Sequence, residues 1–334
     1  MRAAACNAWV TCATDVEFLF LTGDLGYNAL EPLRERLGDR FINAGVAEQN
    51  MVSVGAGLAI EGMNVWIYSI APFCYARPFE QIRNDICQHR LPVKLVGNGG
   101  GYGYGAQGAS HHALEDYGAL LALPGMRAFV PAFSVDVQEV VDRMHQIDHP
   151  GYLRLGRCEQ PLGQEVEAFS PWRRLVRGGG ISMIAVGPLA GPFWQHILSM
   201  TESTRPDLWV LGELPVTDIS DMPPALLTNI RANGLCVVEE HGLQGSVGQQ
   251  LAALLMGGGF TPPRFLHCYA KGYPSGTYGS QSFHRHESGL EPGQVMEALG
   301  IAPCHRCRTR LRCCLGLYWC SVPVGLLVLT CFDI

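Results

Sequence analysis

Residues 43–58 read NAGVAEQNMVSVGAGL, and the reading of this stretch decides the rest. Glu48, Gln49 and Asn50 stand in front of a run of small and apolar residues. Met51, Val54 and Leu58 recur three and four positions apart, while Gly55, Ala56, Gly57 and Ala59 thin one side of the run. That spacing predicts a helix with Glu48 in its first turn. Unpaired backbone N–H groups favour a carboxylate there. Two readings of Glu48 follow: it complements the helix start and nothing more, or it faces a ligand.

Outward from this stretch, strands and helices alternate. Residues 16–22 (VEFLFLT) read as a buried strand, and the Gly23–Gly26 turn after it lacks the G-x-G-x-x-G spacing of a dinucleotide loop. Residues 64–69 (NVWIYS) are a second strand and residues 92–97 (PVKLVG) a third. Between them, residues 76–89 read as a helix with Phe79, Ile82 and Ile86 on one face. Residues 97–116 (GNGGGYGYGAQGASHHALED) hold seven glycines, too many for a regular element, and lack the G-K-[ST] ending of a phosphate loop. A helix over 115–123, a strand over 126–130, a helix over 134–147 capped by Ser134 and a strand over 151–156 complete the first half. This rhythm predicts an α/β domain over residues 1–160, its mainly parallel sheet covered by helices on both faces. Residues 161–180 read as a linker, and residues 181–300 as a second α/β domain of the same kind. Its strands are read over 181–187, 208–212 and 235–239, and its helices over 188–202, 246–256 and 291–299.

Composition supports two well-buried domains: apolar residues make up 48% of the 334 and charged residues only 16%. A net charge of −6 leaves no general basic footprint for nucleic acid. The N-terminal MRAAACNAWVTCATD lacks the apolar core of a signal peptide and suits an opening helix. Seven scattered cysteines read as small buried residues of a reducing cytoplasm. The other six fall between Cys304 and Cys331, in a tail of different character. CHRCRTRLRCC at 304–314 is basic, and residues 315–332 carry no charge. A zinc site is opposed by the adjacent Cys313 and Cys314, and a membrane anchor by Pro323 and Gly325. The favoured reading of 301–334 is a disordered or non-native end, as from an altered reading frame.

FINAGVAEQNMVSVGAGLAIEG, residues 41–62, resembles the pyrimidine-binding domain of the transketolase family of thiamine diphosphate enzymes. VVEEHGLQGSVGQQLAALL, residues 237–255, resembles the same family's C-terminal domain, where this segment helps hold subunits together. The resemblance covers residues 1 to about 300, the second half of a full-length transketolase.

It implies a site. Glu48 would hydrogen-bond a ring nitrogen of the cofactor's aminopyrimidine from a dry pocket and share a proton there. The family's Ser-Thr-Phe platform reads Ser69-Ile70-Ala71-Pro72-Phe73 here, so Phe73 and Ile70 are expected to line the ring, although Phe73 also suits plain core. His111 matches a histidine that faces the donor's oxygens; a structural role is the competing reading. His112 is expected beside it on substrate, and Tyr102 and Tyr104 at the entrance, with the glycines letting the loop fold over substrate. Arg157 matches an arginine that holds the substrate phosphate, against the plainer reading of a surface ion pair. A second phosphate-directed histidine has no counterpart in Gly97-Asn98-Gly99.

No residue here is expected to bind metal. The family grips the cofactor's diphosphate and a magnesium ion through Gly-Asp-Gly and a later Asn, and Asp24 in Gly-Asp-Leu-Gly does not supply that pair. The resemblance therefore implies one subunit of a split enzyme in a cytoplasmic two-plus-two heterotetramer. A partner would carry thiamine diphosphate by its charged end together with Mg2+. The expected activity, in carbohydrate metabolism, is transfer of a two-carbon ketol unit from a ketose, phosphorylated or not, to an aldehyde. The alternatives are the beta subunit of a 2-oxo acid dehydrogenase, a deoxyxylulose-phosphate synthase in split form, and a non-catalytic regulatory paralogue.

Overall fold

In a computed structural model of the chain, residues 1–301 are described; the expectations for the tail lie outside the described residues. Twelve strands are found there: β1 (Phe18–Thr22), β2 (Phe41–Asn43), β3 (Asn64–Ile70), β4 (Lys94–Asn98), β5 (Arg127–Phe129), β6 (Gly151–Leu155), β7 (Trp172–Val176), β8 (Ser182–Val186), β9 (Asp207–Leu211), β10 (Glu213–Leu214), β11 (Leu235–Val238) and β12 (Phe265–Cys268). They form two sheets, ordered β10-β5-β6-β4-β3-β1-β2 and β12-β11-β8-β9-β7. All neighbours are parallel except β10 on β5 and β7 on β9. The architecture is thus the expected α/β one, two mainly parallel sheets flanked by helices.

Both faces of the first sheet are buried. Leu19, Leu21, Val65 and Ile67 pack beneath the helix Glu48–Ile60, and Phe18, Phe20, Trp66 and Tyr68 beneath the opening helix Arg2–Cys12. Strand alternation sorts the two sets. The glycine in the thin face of Glu48–Ile60 has a packing reason: a Cβ on Gly55 would come 2.7 Å from Ile67 Cδ1. The helix therefore lies close on β3, and this fixes the height of Glu48 above the strand ends.

Several expectations need correction. Residues 161–180 are not a bare linker, because Trp172–Val176 is the edge strand β7. Its basic text hides two ion pairs: Arg173 meets Asp136 at 2.6 Å, both buried, and the half-buried Arg174 meets the buried Asp207 at 2.5 Å. Ser134 does not cap the helix after it. The turn Ser134–Asp136 leads into Val137–Gln146, and Asp136 reaches back to the N–H groups of Ala132 and Phe133. The helix read over 76–89 begins only at Phe79, after a turn over 76–78, and runs as Phe79–Gln81 into a π-turn Ile82–Cys87; a separate short helix, Ala71–Tyr75, precedes it. No helix among the described residues is long and apolar enough to cross a membrane.

Candidate active site at the strand ends

Six strands of the first sheet run one way, so the loops after β2, β3, β4 and β6 gather along one edge, where α/β proteins bind ligands. The loop after β2 is tightened by Ala44 N–H on the Thr22 carbonyl (2.8 Å) and Gly45 N–H on Asn43 Oδ1 (2.9 Å). It delivers Glu48 as the first residue of its helix, only 6% exposed.

Glu48 Oε1 accepts a hydrogen bond from Arg77 Nη1 at 2.7 Å. The Arg77 guanidinium carbon lies 3.8 Å from the centre of the Phe73 ring. Phe73 is half-buried on Ala71–Tyr75, the short helix that begins where β3 ends at Ile70. Ile70 is half-buried too and sits in register with Asn98 of β4. The His111 ring meets Phe73 edge-on at 5.2 Å and Tyr104 at 5.8 Å. Asn98 Nδ2 donates to the Tyr104 hydroxyl at 2.8 Å.

Asn98 and Tyr104 open onto a cavity of about 600 Å³ also lined by Arg2, Arg157, Glu159 and Gln281. One continuous line therefore runs from Glu48 through Arg77, Phe73, His111, Tyr104 and Asn98 to two arginines. Arg2 and Arg77 were not singled out in the sequence. Arg2 carries no signal beyond its charge, and Arg77 lies in the turn between Ala71–Tyr75 and Phe79–Gln81, where the sequence reads as continuous helix from residue 76.

Two expectations fail on geometry. His112 is buried, with Nε2 on the Gly105 carbonyl (2.8 Å) and Nδ1 on the Tyr273 hydroxyl (2.9 Å). Burial lowers its pKa, and the contacts fit a neutral ring that donates from Nε2 and accepts at Nδ1. Neither nitrogen is left for substrate. Tyr102 is fully buried, its hydroxyl donating to the Gly272 carbonyl at 2.8 Å, so it pins the glycine loop and does not stand at the entrance.

That loop is anchored, not a free flap. Tyr102 N–H donates to Glu240 Oε1 (2.6 Å), and Gly101, at φ 64°, would drive a Cβ to 2.6 Å from the same oxygen. Behind the loop, Arg154 is buried with Nε on Asp116 Oδ2 (2.8 Å) and Nη2 on the Ala113 and Glu240 carbonyls (2.9 and 2.8 Å). The segment after β11 serves the same junction. Glu239 is buried and accepts from Tyr117 (2.5 Å), His267 (2.7 Å) and the N–H groups of Val247 and Gly248.

The Glu48 end offers an acid and an aromatic face bridged by a planar, hydrogen-bond-donating cation. An aminopyrimidine is planar and offers donors at its edge, so it fits the same two surfaces. The cavity end offers two arginine forks to a phosphate or carboxylate.

The family described as "Transketolase, pyrimidine binding domain" matches residues 12–161. The chain is 30% identical over 244 residues to an apulose-4-phosphate transketolase subunit of Phocaeicola vulgatus, covering 70% of this chain and 76% of that protein. It is 28% identical over 234 residues to the like-named subunit of Actinobacillus succinogenes, covering 68% and 73%. Among solved structures it is similar to a "Split gene transketolase, inactive beta4 tetramer", with a TM-score of 0.74 and 26% identity over 90% of this chain and 96% of that one.

The fold defines the class: a two-sheet α/β protein whose first sheet gathers its loops at the carboxyl ends of its parallel strands. The chain belongs to the transketolase family and corresponds to its C-terminal half, the part that a split transketolase makes as a separate polypeptide.

Proposed function

We propose that this chain is the ring-facing subunit of a thiamine diphosphate-dependent transketolase-like enzyme that moves a two-carbon ketol unit from a ketose to an aldehyde. The observation that carries the reading is the buried Glu48 carboxylate beside the Phe73 face, at the head of a line of polar side chains leading to Arg157. When bound, thiamine diphosphate supplies the carbon nucleophile at which the carbon–carbon bond is broken and remade. Glu48 holds a proton against the aminopyrimidine, with Phe73 and Ile70 as its apolar support. His111, half-buried between Phe73 and Tyr104, hydrogen-bonds sugar oxygens or passes a proton in this reading. Arg157 and Arg2 take the anionic end, which favours a ketose phosphate. Apulose-4-phosphate, for which the two relatives are named, is a member of that class.

A partner chain supplies the diphosphate grip and Mg2+, in a heterotetramer. The neighbour described as an inactive beta4 tetramer supports the need for a partner. The described cysteines are free thiols, which suits a reducing cytoplasm. The test is to mix the chain with an N-terminal transketolase subunit, thiamine diphosphate and Mg2+. A circular-dichroism or calorimetric signal of cofactor binding and ketol transfer, both lost in Glu48→Gln, is expected. No signal in the wild-type mixture would favour a non-catalytic paralogue, and turnover that needs lipoamide would favour a 2-oxo acid dehydrogenase.

A further inference from the structure

The ketol-transfer reading gives Arg77 no role, yet Arg77 occupies the two surfaces that reading reserves for the cofactor's ring. Its guanidinium carbon lies 3.8 Å from the centre of the Phe73 ring, and Nη1 donates to Glu48 Oε1 at 2.7 Å. A guanidinium is planar, delocalised and an N–H donor at its edge. A ring-protonated aminopyrimidine has the same three properties. Both cannot lie on one face of Phe73 and bond one carboxylate oxygen together.

The two partners differ in how easily they part. The Arg77 side chain is 44% exposed and can swing into water, whereas Glu48 is 7% exposed and cannot. Among the described residues Arg77 pairs with Glu48 alone, and Glu80 three positions on is engaged by Arg83 and Asn84. Lone exposed ion pairs are weak, but this one covers a buried acid that would otherwise lack a donor.

The geometry points to Arg77 as a built-in stand-in for the aminopyrimidine. In the free chain it fills the ring slot and satisfies Glu48, and it must leave before a ring can bind. This rests on the reading of Glu48 and Phe73 given above. It makes the slot self-closing in any copy that has not met its cofactor, so ring binding bears the cost of displacing Arg77.

The test uses the full chain alone and the ring alone, 4-amino-2-methylpyrimidine, titrated by calorimetry. A competitor that fills the slot nine-tenths of the time lowers apparent affinity about tenfold. Arg77→Met is therefore expected to bind the ring about tenfold more tightly than wild type. Arg77→Lys, which keeps the charge but not the plane, should gain less and guards against a Met variant that fails to fold. Added methylguanidinium should compete with the ring in Arg77→Met.

Glu48→Gln placed in the Arg77→Met background separates the two layers of the argument. If it removes ring binding while Arg77→Met alone binds no better than wild type, the stand-in is overturned and the Glu48 reading survives. If ring binding is indifferent to Glu48→Gln, the site reading falls and takes this inference with it. No binding to Arg77→Met at any soluble ring concentration also overturns the stand-in.

Discussion

Arg154→Met tests whether the glycine loop is held by one buried cation. The guanidinium donates to Asp116 Oδ2 and to the carbonyls of Ala113 and Glu240, tying β6 to the segment after the glycine loop and to the end of β11. Burial opposes its charge, but Asp116 and the neighbouring tyrosines raise its pKa above the usual arginine value. Methionine matches the length and removes every donor. Asp116, fully buried, would keep only the Tyr152 hydroxyl on Oδ2 at 2.8 Å, and its Oδ1 already has no partner. Breaking a buried pair from one side costs about 3–5 kcal/mol. The Ala113 carbonyl keeps the Gly101 N–H at 2.9 Å, so only the Glu240 carbonyl is left without a donor, at a cost of about 1–3 kcal/mol, offset where Asp116 takes up a proton. A loss of about 4 kcal/mol is therefore expected, a large part of the roughly 5–15 kcal/mol that holds a domain folded. Urea unfolding followed by tryptophan fluorescence reads it directly. Asp116→Asn should also destabilise, and the double variant should lose less than the two singles together. A loss below about 1 kcal/mol for Arg154→Met, with unchanged urea dependence, would refute the idea that this pair holds the loop.

Glu48→Gln in the assembled enzyme should leave unfolding within about 1 kcal/mol of wild type and lower kcat by roughly 10²–10⁴-fold, the usual worth of a positioned acid; retained turnover would remove Glu48 from the chemistry. Arg157→Ala should raise KM for a ketose phosphate about tenfold or more, the worth of a charge-assisted hydrogen bond, and spare an unphosphorylated ketose; equal loss on both would deny a phosphate role. Lys94, buried and donating to Asn64 Oδ1 at 2.8 Å, has its pKa lowered by burial to about 8 from 10.5. Between pH 8 and 10.5 the unfolded chain then binds more protons at this site than the folded one, so the Lys94 contribution to stability rises with pH. Compared with Lys94→Met, wild-type urea midpoints should gain steadily from about pH 8 to about pH 10; a constant difference would contradict the shift.

The parts of the fold legible in the sequence are those whose burial is periodic or complete. β1, β3, β4, β6, β8, β9 and β11 are mostly apolar runs with little exposure, interrupted by single buried charges such as Lys94, Arg154 and Asp207, and such runs are visible in text. The elements missed are held by other means. β2 is three half-exposed residues on a sheet edge. β7 reads as a basic linker because Arg173 and Arg174 find their acids more than thirty residues away, at Asp136 and Asp207. The helix Gln281–Ser288 (QSFHRHES) has almost no apolar content; it is held by a buried His284 and by Arg285 on Glu240. Within the site, the line through Phe73, His111 and Arg157 joins residues that the sequence singled out. His112 could not be separated from its neighbour His111 without knowing which ring turns toward Tyr273.

Exposure along that line bears on the proposed partner. Glu48 is buried, yet Phe73, Tyr104 and His111 are only half-buried and Arg77 and Arg157 are exposed. Charge stabilisation in an active site depends on excluding water: two unit charges about 4 Å apart interact by about 1 kcal/mol in bulk water and about 4 kcal/mol at an effective dielectric of about 20. Only the acid at the head of the line is already shielded in this chain, and the remainder, to which the proposed function gives the sugar, is open. A covering partner would raise the worth of every polar contact from His111 to Arg157 severalfold without moving any of them. Partner dependence is thus expected to appear in turnover more strongly than in the stability of this chain, because the sheets, the buried pairs and the glycine loop are complete without the cover.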